Sequence, residues 1–454
     1  MEVLQRTANR GSISTGYDID NSLKLEADDS QYIDDRHYTA GNRKKLTISF
    51  WFKRTELGQT QMPYEQSALQ ARIYLRSTDD LYITAYDNSG WTIITNRLFR
   101  DTSAWYHCVF QLDTTQSTAA DRMKLWINGQ QETSFSSASY PTQNADTFFN
   151  TNQSAKVGGG GAGLYFSGYM SEFFFIDDQA LQASDFGEYD SDSGIWIPKE
   201  YDGTFGGQSY YLEFKNASNL ADRSDGLSNG VSLSVQNITS ADQATDTPTN
   251  NGCTLNVLAS LEGSNDITEG ALVSTGKAGG GGNFNGTYGT IGIDPFNSSV
   301  DWYWEIETSI GTSGSDTDIG IGWIKESRIT SGSTAYNNVY ADGISRYSSQ
   351  TVNAAGDIWG VLLETGTTPV MKLYRNDGLI YTATHGSGGV SFDTLMFPYI
   401  TVKGTSVDAR LNFLNPASSF SIASGNTDPN GYGNFEFDPK GGYALCTKNL
   451  AEYG

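Results

Sequence analysis

The stretch Glu188-Tyr189-Asp190-Ser191-Asp192 carries carboxylates at alternate positions. In an extended chain alternate side chains share a face, and two carboxyls about 5–5.5 Å apart are what retaining glycoside hydrolysis needs. A complete set runs Glu-x-Asp-x-(x)-Glu. This stretch lacks the final Glu and lies among polar residues. Glu305-Ile306-Glu307 supplies a pair without a third carboxylate. Both read as solvated faces, so the sequence predicts no catalytic residue and a protein that is not an enzyme. His37, His107 and His385 are scattered, with no nucleophile elbow and no Ser-His-Asp order around them, which argues against a hydrolytic triad. His107 should share a face with Trp105 and Val109 as a structural side chain. The glycine tracts at 158–163 and 279–282 lack the Gly-Lys-Ser/Thr ending of a phosphate loop and read as flexible loops.

Two other chemistries remain open. Asp190 and Asp192, in Asp190-Ser191-Asp192-Ser193-Gly194, and Asp316 and Asp318 are carboxylates two residues apart in loops. Such oxygens suit Ca²⁺, although the first group departs from the EF-hand pattern by one position and has no closing Glu. No other cofactor is indicated. Sugar recognition needs aromatic faces beside polar groups. Tyr86, Asp87 and Trp91 meet that description in Tyr86-Asp87-Asn88-Ser89-Gly90-Trp91. So do Tyr336, Asn338, Tyr340 and Asp342 in Tyr336-Asn337-Asn338-Val339-Tyr340-Ala341-Asp342.

The elements that must position these residues are strands. Of 454 residues, 50 are Gly and only 10 Pro, with 26 Tyr and 22 Phe, which suits short strands joined by tight turns. The net charge of −23 excludes a nucleic-acid surface, which needs clustered Lys and Arg. The three cysteines, Cys108, Cys253 and Cys446, are far apart and form neither a disulfide framework nor a metal cluster, as expected for folding in a reducing cytoplasm. Cys108 reads as a small core residue. No leader opens the sequence and no run approaches the roughly 18 apolar residues of a membrane span, so neither export of the usual kind nor membrane insertion is expected.

Residues 1–16 read as an arm. Leu46, Ile48, Phe50 and Phe52 then alternate with Thr47, Ser49, Trp51 and Lys53, the pattern of a strand with one buried face. Met123, Leu125 and Ile127 alternate likewise before Asn128-Gly129, a hairpin turn signal. Gly168-Tyr169-Met170-Ser171-Glu172-Phe173-Phe174-Phe175-Ile176 is the most apolar strand and closes a first unit. A polar seam over 177–201 should pack along that unit as an ordered segment and set how the second is held. Tyr210-Tyr211-Leu212-Glu213-Phe214 should return as one more strand. Residues 215–250 are Ser-, Asn- and Asp-rich and read as a linker. A second unit over 251–415 repeats the strand logic, with Trp302, Trp304 and Ile306 alternating, a continuous apolar run at 358–363, and a turn at Asn376-Asp377-Gly378. Residues 416–454 form a Gly/Asn-rich C-terminal segment. The fold class is all-β: two β-sandwich (jelly-roll) domains joined by a polar seam and linker.

The alternation at 48–52, Trp105-Tyr106-His107, Lys124-Leu125-Trp126-Ile127-Asn128-Gly129 and the 168–176 strand together resemble the laminin-G-like, concanavalin A-like lectin fold, over residues 17–214. Trp304-Glu305-Ile306, Ile319-Gly320-Ile321-Gly322, Gly356-Asp357-Ile358-Trp359-Gly360-Val361 and Leu373-Tyr374-Arg375-Asn376-Asp377-Gly378 resemble the SPRY domain. The combination of Asp185-Phe186-Gly187, Trp196-Ile197-Pro198-Lys199 and residues 211–214 is similar to a lineage of tailed-bacteriophage proteins. That resemblance implies a virion protein assembled in the host bacterial cytoplasm, in a tail fibre or other appendage. Its partners would be other virion proteins and a host cell-surface glycan, and by analogy with how fibres are built it would be a homo-oligomer. The alternatives are a head or capsid decoration protein, a glycan-degrading enzyme of the same fold, and a bacterial surface adhesin.

Overall fold

The structure of the protein, a computed structural model, describes residues 16–66, 68–85, 90–259, 265–276, 285–309, 318–331, 344–348, 355–403 and 407–454. The chain divides into two compact units, one ending at Thr249 and the other starting at Asn250. Among the described residues both are antiparallel β-sandwiches, apart from one parallel pairing in the second.

In the first unit two eight-stranded sheets face one another. The first sheet is centred on the strands Lys45–Arg54, Gly168–Asp177 and Tyr106–Asp113. The second runs from Phe135–Ser139 through Trp91–Leu98, Asp80–Ala85, Ala71–Leu75, Gln61–Gln66, Ser154–Val157 and Tyr32–His37 to Val231–Gln236. Period-two alternation sends Leu46, Ile48, Phe50 and Phe52 from one sheet, and Ile73, Leu75, Leu81 and Ile83 from the other, into a shared core. Cys108 joins them there.

The predicted closing strand, Gly168–Asp177, sits in the middle of its sheet. It pairs with Lys45–Arg54 on one side, and with Ser22–Leu25 and Tyr210–Leu212 in turn on the other. The Tyr210–Leu212 strand does return to the first sandwich. Asn128 and Gly129 turn a hairpin with φ of 48° and 76°, which a two-residue turn of this hand requires. A Cβ on Gly129 would stand 2.2 Å from the Trp196 ring. Gly129→Ala is therefore expected to cost about 1–3 kcal/mol, measured as a lowered urea midpoint.

Two expectations are corrected here. The strand Lys45–Arg54 buries both faces and not one, because a segment of the chain lies over its outer side. Residues 215–249 are no linker. Val231–Gln236 pairs residue for residue with Tyr32–His37, and Gln243–Ala244 pairs with Ser22–Leu25. Val231, Leu233 and Val235 do alternate with Ser232, Ser234 and Gln236, but serine dilutes the signal and polar loops flank it.

In the second unit Trp302–Thr308 and Asp357–Glu364 are central strands, with Trp302, Trp304, Ile306, Trp359, Val361 and Leu363 in the core. Residues 358–363 are buried on both faces, as the continuous apolar run predicted. The covering layer comes from the C-terminal segment. Leu414, Phe435, Ala444 and Cys446 pack on Tyr303 and Leu362, and Tyr443–Ala444 adds a parallel pairing to Trp302–Thr308. Residues 416–454 thus belong to this sandwich.

Candidate functional site

The two outer faces of the first sandwich differ in kind: the chain closes one and leaves the other open. The closed face belongs to the sheet of Lys45–Arg54. Its cover is the predicted seam, ordered and folded as a hairpin of Gly187–Tyr189 with Trp196–Pro198. Phe186 and Tyr201 stack on one another and meet Phe174 tilted and edge-on, while Phe174 stacks on Tyr211 at 4.0 Å. Trp196 sits over His107 and gives its indole N–H to His107 Nδ1 at 3.0 Å. Nδ1 must then be an acceptor, so the ring proton is on Nε2 and goes to Ser49 Oγ at 2.9 Å. Burial holds the His107 pKa down to about 3, and the ring is neutral and structural. It shares this face with Trp105 and Val109, as expected.

Glu172 lies under the same cover. It sits at a bulge in the Gly168–Asp177 strand with φ of 51°, and its carboxylate accepts from Tyr211 Oη at 2.7 Å and Tyr17 Oη at 3.1 Å. Burial pushes its pKa up to about 8, with the charge of Glu213 adding to the rise while the two phenols oppose it. This is an occluded acid that no polymer can reach.

The open face belongs to the other sheet. The alternation that buries Ala71, Ile73, Leu75, Leu81 and Ile83 turns Arg72, Tyr74 and Tyr82 outward. Tyr74 and Tyr82 are cross-strand partners with ring centroids 4.6 Å apart. The Arg72 guanidinium lies 5.3 Å from the Tyr74 ring centre, and that of Arg76 lies 5.9 Å from the Tyr82 ring centre. Asp80 holds Arg76 in place through two bonds of 2.6 Å. Farther across the sheet Tyr32 stacks on Tyr165 at 6.1 Å, with Lys156 Nζ 4.8 Å from the Tyr32 ring centre. The glycine tract separates the two tyrosine pairs. Phe166 N–H bonds back to Gly158, and Gly160 approaches Met62 and Glu65 so closely that a Cβ there would lie 2.8 Å from Met62 Cγ. All four tyrosines are half-buried, each with part of its ring in solvent. The face thus carries two half-exposed aromatic pairs beside polar groups held in place.

The residues picked from sequence lie elsewhere. Trp91 corrects one expectation. It is 2% exposed in the core beside Phe149, because the alternation of Trp91, Thr92, Ile93 and Ile94 points it inward, so it offers no sugar platform. Tyr86 and Asp87, and Tyr336, Asn338, Tyr340 and Asp342, lie outside the described residues, as does Asp316. Asp318 begins the strand Asp318–Lys325. Asp190 Oδ1 is spent on its own turn, accepting from Ser193 N and Ser193 Oγ at 2.8 and 2.7 Å and from Asp192 N at 3.2 Å. Those bonds hold the exposed Asp190 carboxyl below the usual range. Among the described residues no group of three His, Cys, Asp or Glu side chains is placed to hold a metal ion. Asp190 and Asp192 thus shape their own turn.

The remaining candidates have these places in the fold. Glu188 lies exposed on the seam hairpin. Glu305 accepts from Phe437 N, Glu436 N and Tyr303 Oη, and burial raises its pKa to about 7. Glu307 takes Arg410 and Ser421 N. His37 pairs with Asp35 inside the core, and His385 accepts from Phe392 N. The open-face tyrosines had a signal in the sequence. Arg72-Ile73-Tyr74 and Leu81-Tyr82-Ile83 alternate, and a tyrosine opposite a buried branched residue must look outward.

Residues 25–185 match a protein-family model, Laminin_G_3, described as the concanavalin A-like lectin/glucanases superfamily. No curated protein matches the chain. Among solved structures it is similar to a putative carbohydrate binding protein from Bacteroides ovatus (13% identity, TM-score 0.33), covering 50% of this chain and 60% of that one, less than two thirds of its length. It is similar to domains LG4-5 of the mouse laminin alpha1 chain (9% identity, TM-score 0.30; 88% and 91% covered). It is also similar to a human SPRY domain (14% identity, TM-score 0.23; 31% and 90% covered). The matched residues 25–185 fall within the first β-sandwich.

Proposed function

We propose that the chain is a non-enzymatic glycan-recognition protein of a tailed-phage virion, carried on a tail fibre or similar appendage. The observation that supports glycan recognition is the open sheet face, where Tyr74 with Tyr82 and Tyr32 with Tyr165 form two half-exposed aromatic pairs beside Arg72 and Lys156. Pyranose rings pack their C–H faces on such surfaces while their hydroxyls bond to neighbouring polar groups. What supports the virion setting is the resemblance in sequence of the lectin-like sandwich, its seam and the SPRY-like unit to tailed-phage proteins. Its partners there are other virion proteins and further copies of this chain.

The test uses the full chain on a glycan array and in adsorption to host cells. Hits are expected, and Tyr74→Ala should weaken binding about tenfold, roughly 1.4 kcal/mol, with an unchanged unfolding midpoint. Silence in both assays would leave the head-decoration role, which needs no sugar. Release of reducing sugar from a bound polysaccharide would overturn the non-enzymatic part.

A further inference from the structure

We infer that the open face of the first sandwich takes an acidic polysaccharide whose charge is carried by uronate carboxylates. This rests on the glycan reading above and narrows it.

The chain has 52 acidic and 29 basic residues, so a cation has many available partners. Most cations of this unit use one. Arg54 and Arg100 share Asp79, Arg76 holds Asp80, Arg97 meets Glu132, and Arg223 meets Asp225. Arg36, Arg72 and Lys156 do not, and neither do Arg43, Lys45, Arg122 and Lys199; the first three are the ones on strands of the open sheet. All three project from the same outer face, and among the described residues none makes an ion pair. Carboxylates are at hand. Glu65 is the cross-strand partner of both Arg72 and Lys156, and Asp34 is that of Lys156. The cations nonetheless lie on tyrosine rings, Arg72 on Tyr74 and Lys156 on Tyr32. Glu65 is only 4% exposed and lies beneath the glycine tract, its Oε2 3.3 Å from where a Gly160 Cβ would stand. Its charge is turned away from the solvent. The face therefore offers Arg72, Lys156 and Arg36 against Asp34 and the covered Glu65, a local excess of one positive charge on a strongly negative protein.

Neutral sugars need aromatic faces and hydrogen-bonding groups, and unpaired cations add little for them. A carboxylate matches the planar fork of a guanidinium and gains a charge-assisted bond. Three strand spacings separate the Tyr74 strand from the Tyr32 strand, about 14 Å at roughly 4.8 Å each. A ligand engaging both cation–tyrosine pairs must be longer than a single sugar ring, which selects a chain over a monosaccharide.

The test compares polygalacturonate with its fully methyl-esterified form, the same backbone without charge, by calorimetry on the full chain. The acid form is expected to bind at least about tenfold more tightly, and Arg72→Gln or Lys156→Gln should each remove about tenfold of that binding while weakening the ester by less. Binding of the acid form should weaken as salt is raised. Both substitutions are at half-exposed positions, and an unchanged unfolding midpoint confirms the fold. If acid and ester bind alike and Tyr74→Ala weakens both, the charge inference fails and the glycan reading survives. If neither polymer binds, the glycan array decides. Acidic hits lost on Arg72→Gln support the inference, neutral hits overturn it alone, and a silent array overturns it together with the glycan reading.

Discussion

Asparagine in place of Asp79 is expected to destabilise the first unit by about 3–5 kcal/mol, read from urea midpoints. Asp79 sits in a tight turn at φ of 68°, a conformation asparagine also tolerates, so the substitution removes charge without adding backbone strain. Its carboxylate receives Arg54 Nη1 at 3.1 Å, Arg100 Nε at 2.9 Å and Gly58 N at 3.0 Å. These three donors hold its pKa below the usual range against the opposing effect of burial. Arg54 has no exposed side-chain surface, and burial lowers its pKa. Without Asp79 it keeps the Phe99 carbonyl and the Gln61 amide oxygen but loses its paired carboxylate, with only the weaker influence of Glu56 remaining, and an undercompensated buried charge is what makes such losses large. Arg100 touches the same carboxylate from a side chain that is 58% exposed. Arg100→Gln should therefore cost less than about 1 kcal/mol. Equal costs for the two substitutions would refute this account, since the argument lies in the difference in burial.

The second large effect is a dependence on pH. Glu172 ionises near 4.5 when unfolded and near 8 in the folded unit. Between those values the folded state holds a proton that the unfolded state has lost. Stability from this group is thus complete below about pH 4.5 and is lost as the pH rises through 8. The span corresponds to roughly 4–5 kcal/mol for a single proton. Glu172→Gln keeps an acceptor for Tyr17 and Tyr211 and removes the titration. The variant should match the parent near pH 5 and exceed it by several kcal/mol near pH 8.5. Glu305 gives a slope of the same sign in the second unit, so the measurement must report the first unit alone, by hydrogen exchange at the amides of the Gly168–Asp177 strand. A parent and variant that stay parallel from pH 5 to 8.5 would place the proton elsewhere.

Sheets and core were legible because their signal is local. The alternation at residues 46–52 and at Trp302, Trp304 and Ile306 fixes which side chains meet in the core, and Asn128-Gly129 fixes a turn. Coverage is not local. Nothing between 45 and 54 says that Trp196, more than 140 positions later, roofs His107, or that residues 17–19 and the seam seal the outer side of that strand. The integration of residues 231–244 was hidden for a related reason. Their partners, Tyr32–His37 and Ser22–Leu25, lie about 200 positions earlier, and serine-rich strands look like loops until those partners are known. The candidate site divided along the same line. Loop residues were chosen because exposed aromatics are expected in loops, whereas the structure presents its tyrosines from the middle of strands, where outwardness depends only on register. Trp91 fails by one position: its neighbour Thr92 faces the solvent and Trp91 the core.

The first unit also begins and ends at one point. Ile19 N–H donates to Thr249 Oγ1, whose hydroxyl returns a bond to the Ile19 carbonyl, and Ser22 and Leu23 pair with Ala244 and Gln243 just inside. A pull on the two ends of this unit therefore meets a zipper. The load falls on one pair of the Ser22–Leu25 and Gln243–Ala244 ladder at a time and is not shared along its length in shear. The first sandwich should yield first where its ends cross, shedding Gln243–Ala244 before any strand of the open face is disturbed. The unit would then lengthen under tension while the strands that carry Tyr74, Tyr82 and Tyr32 stay folded.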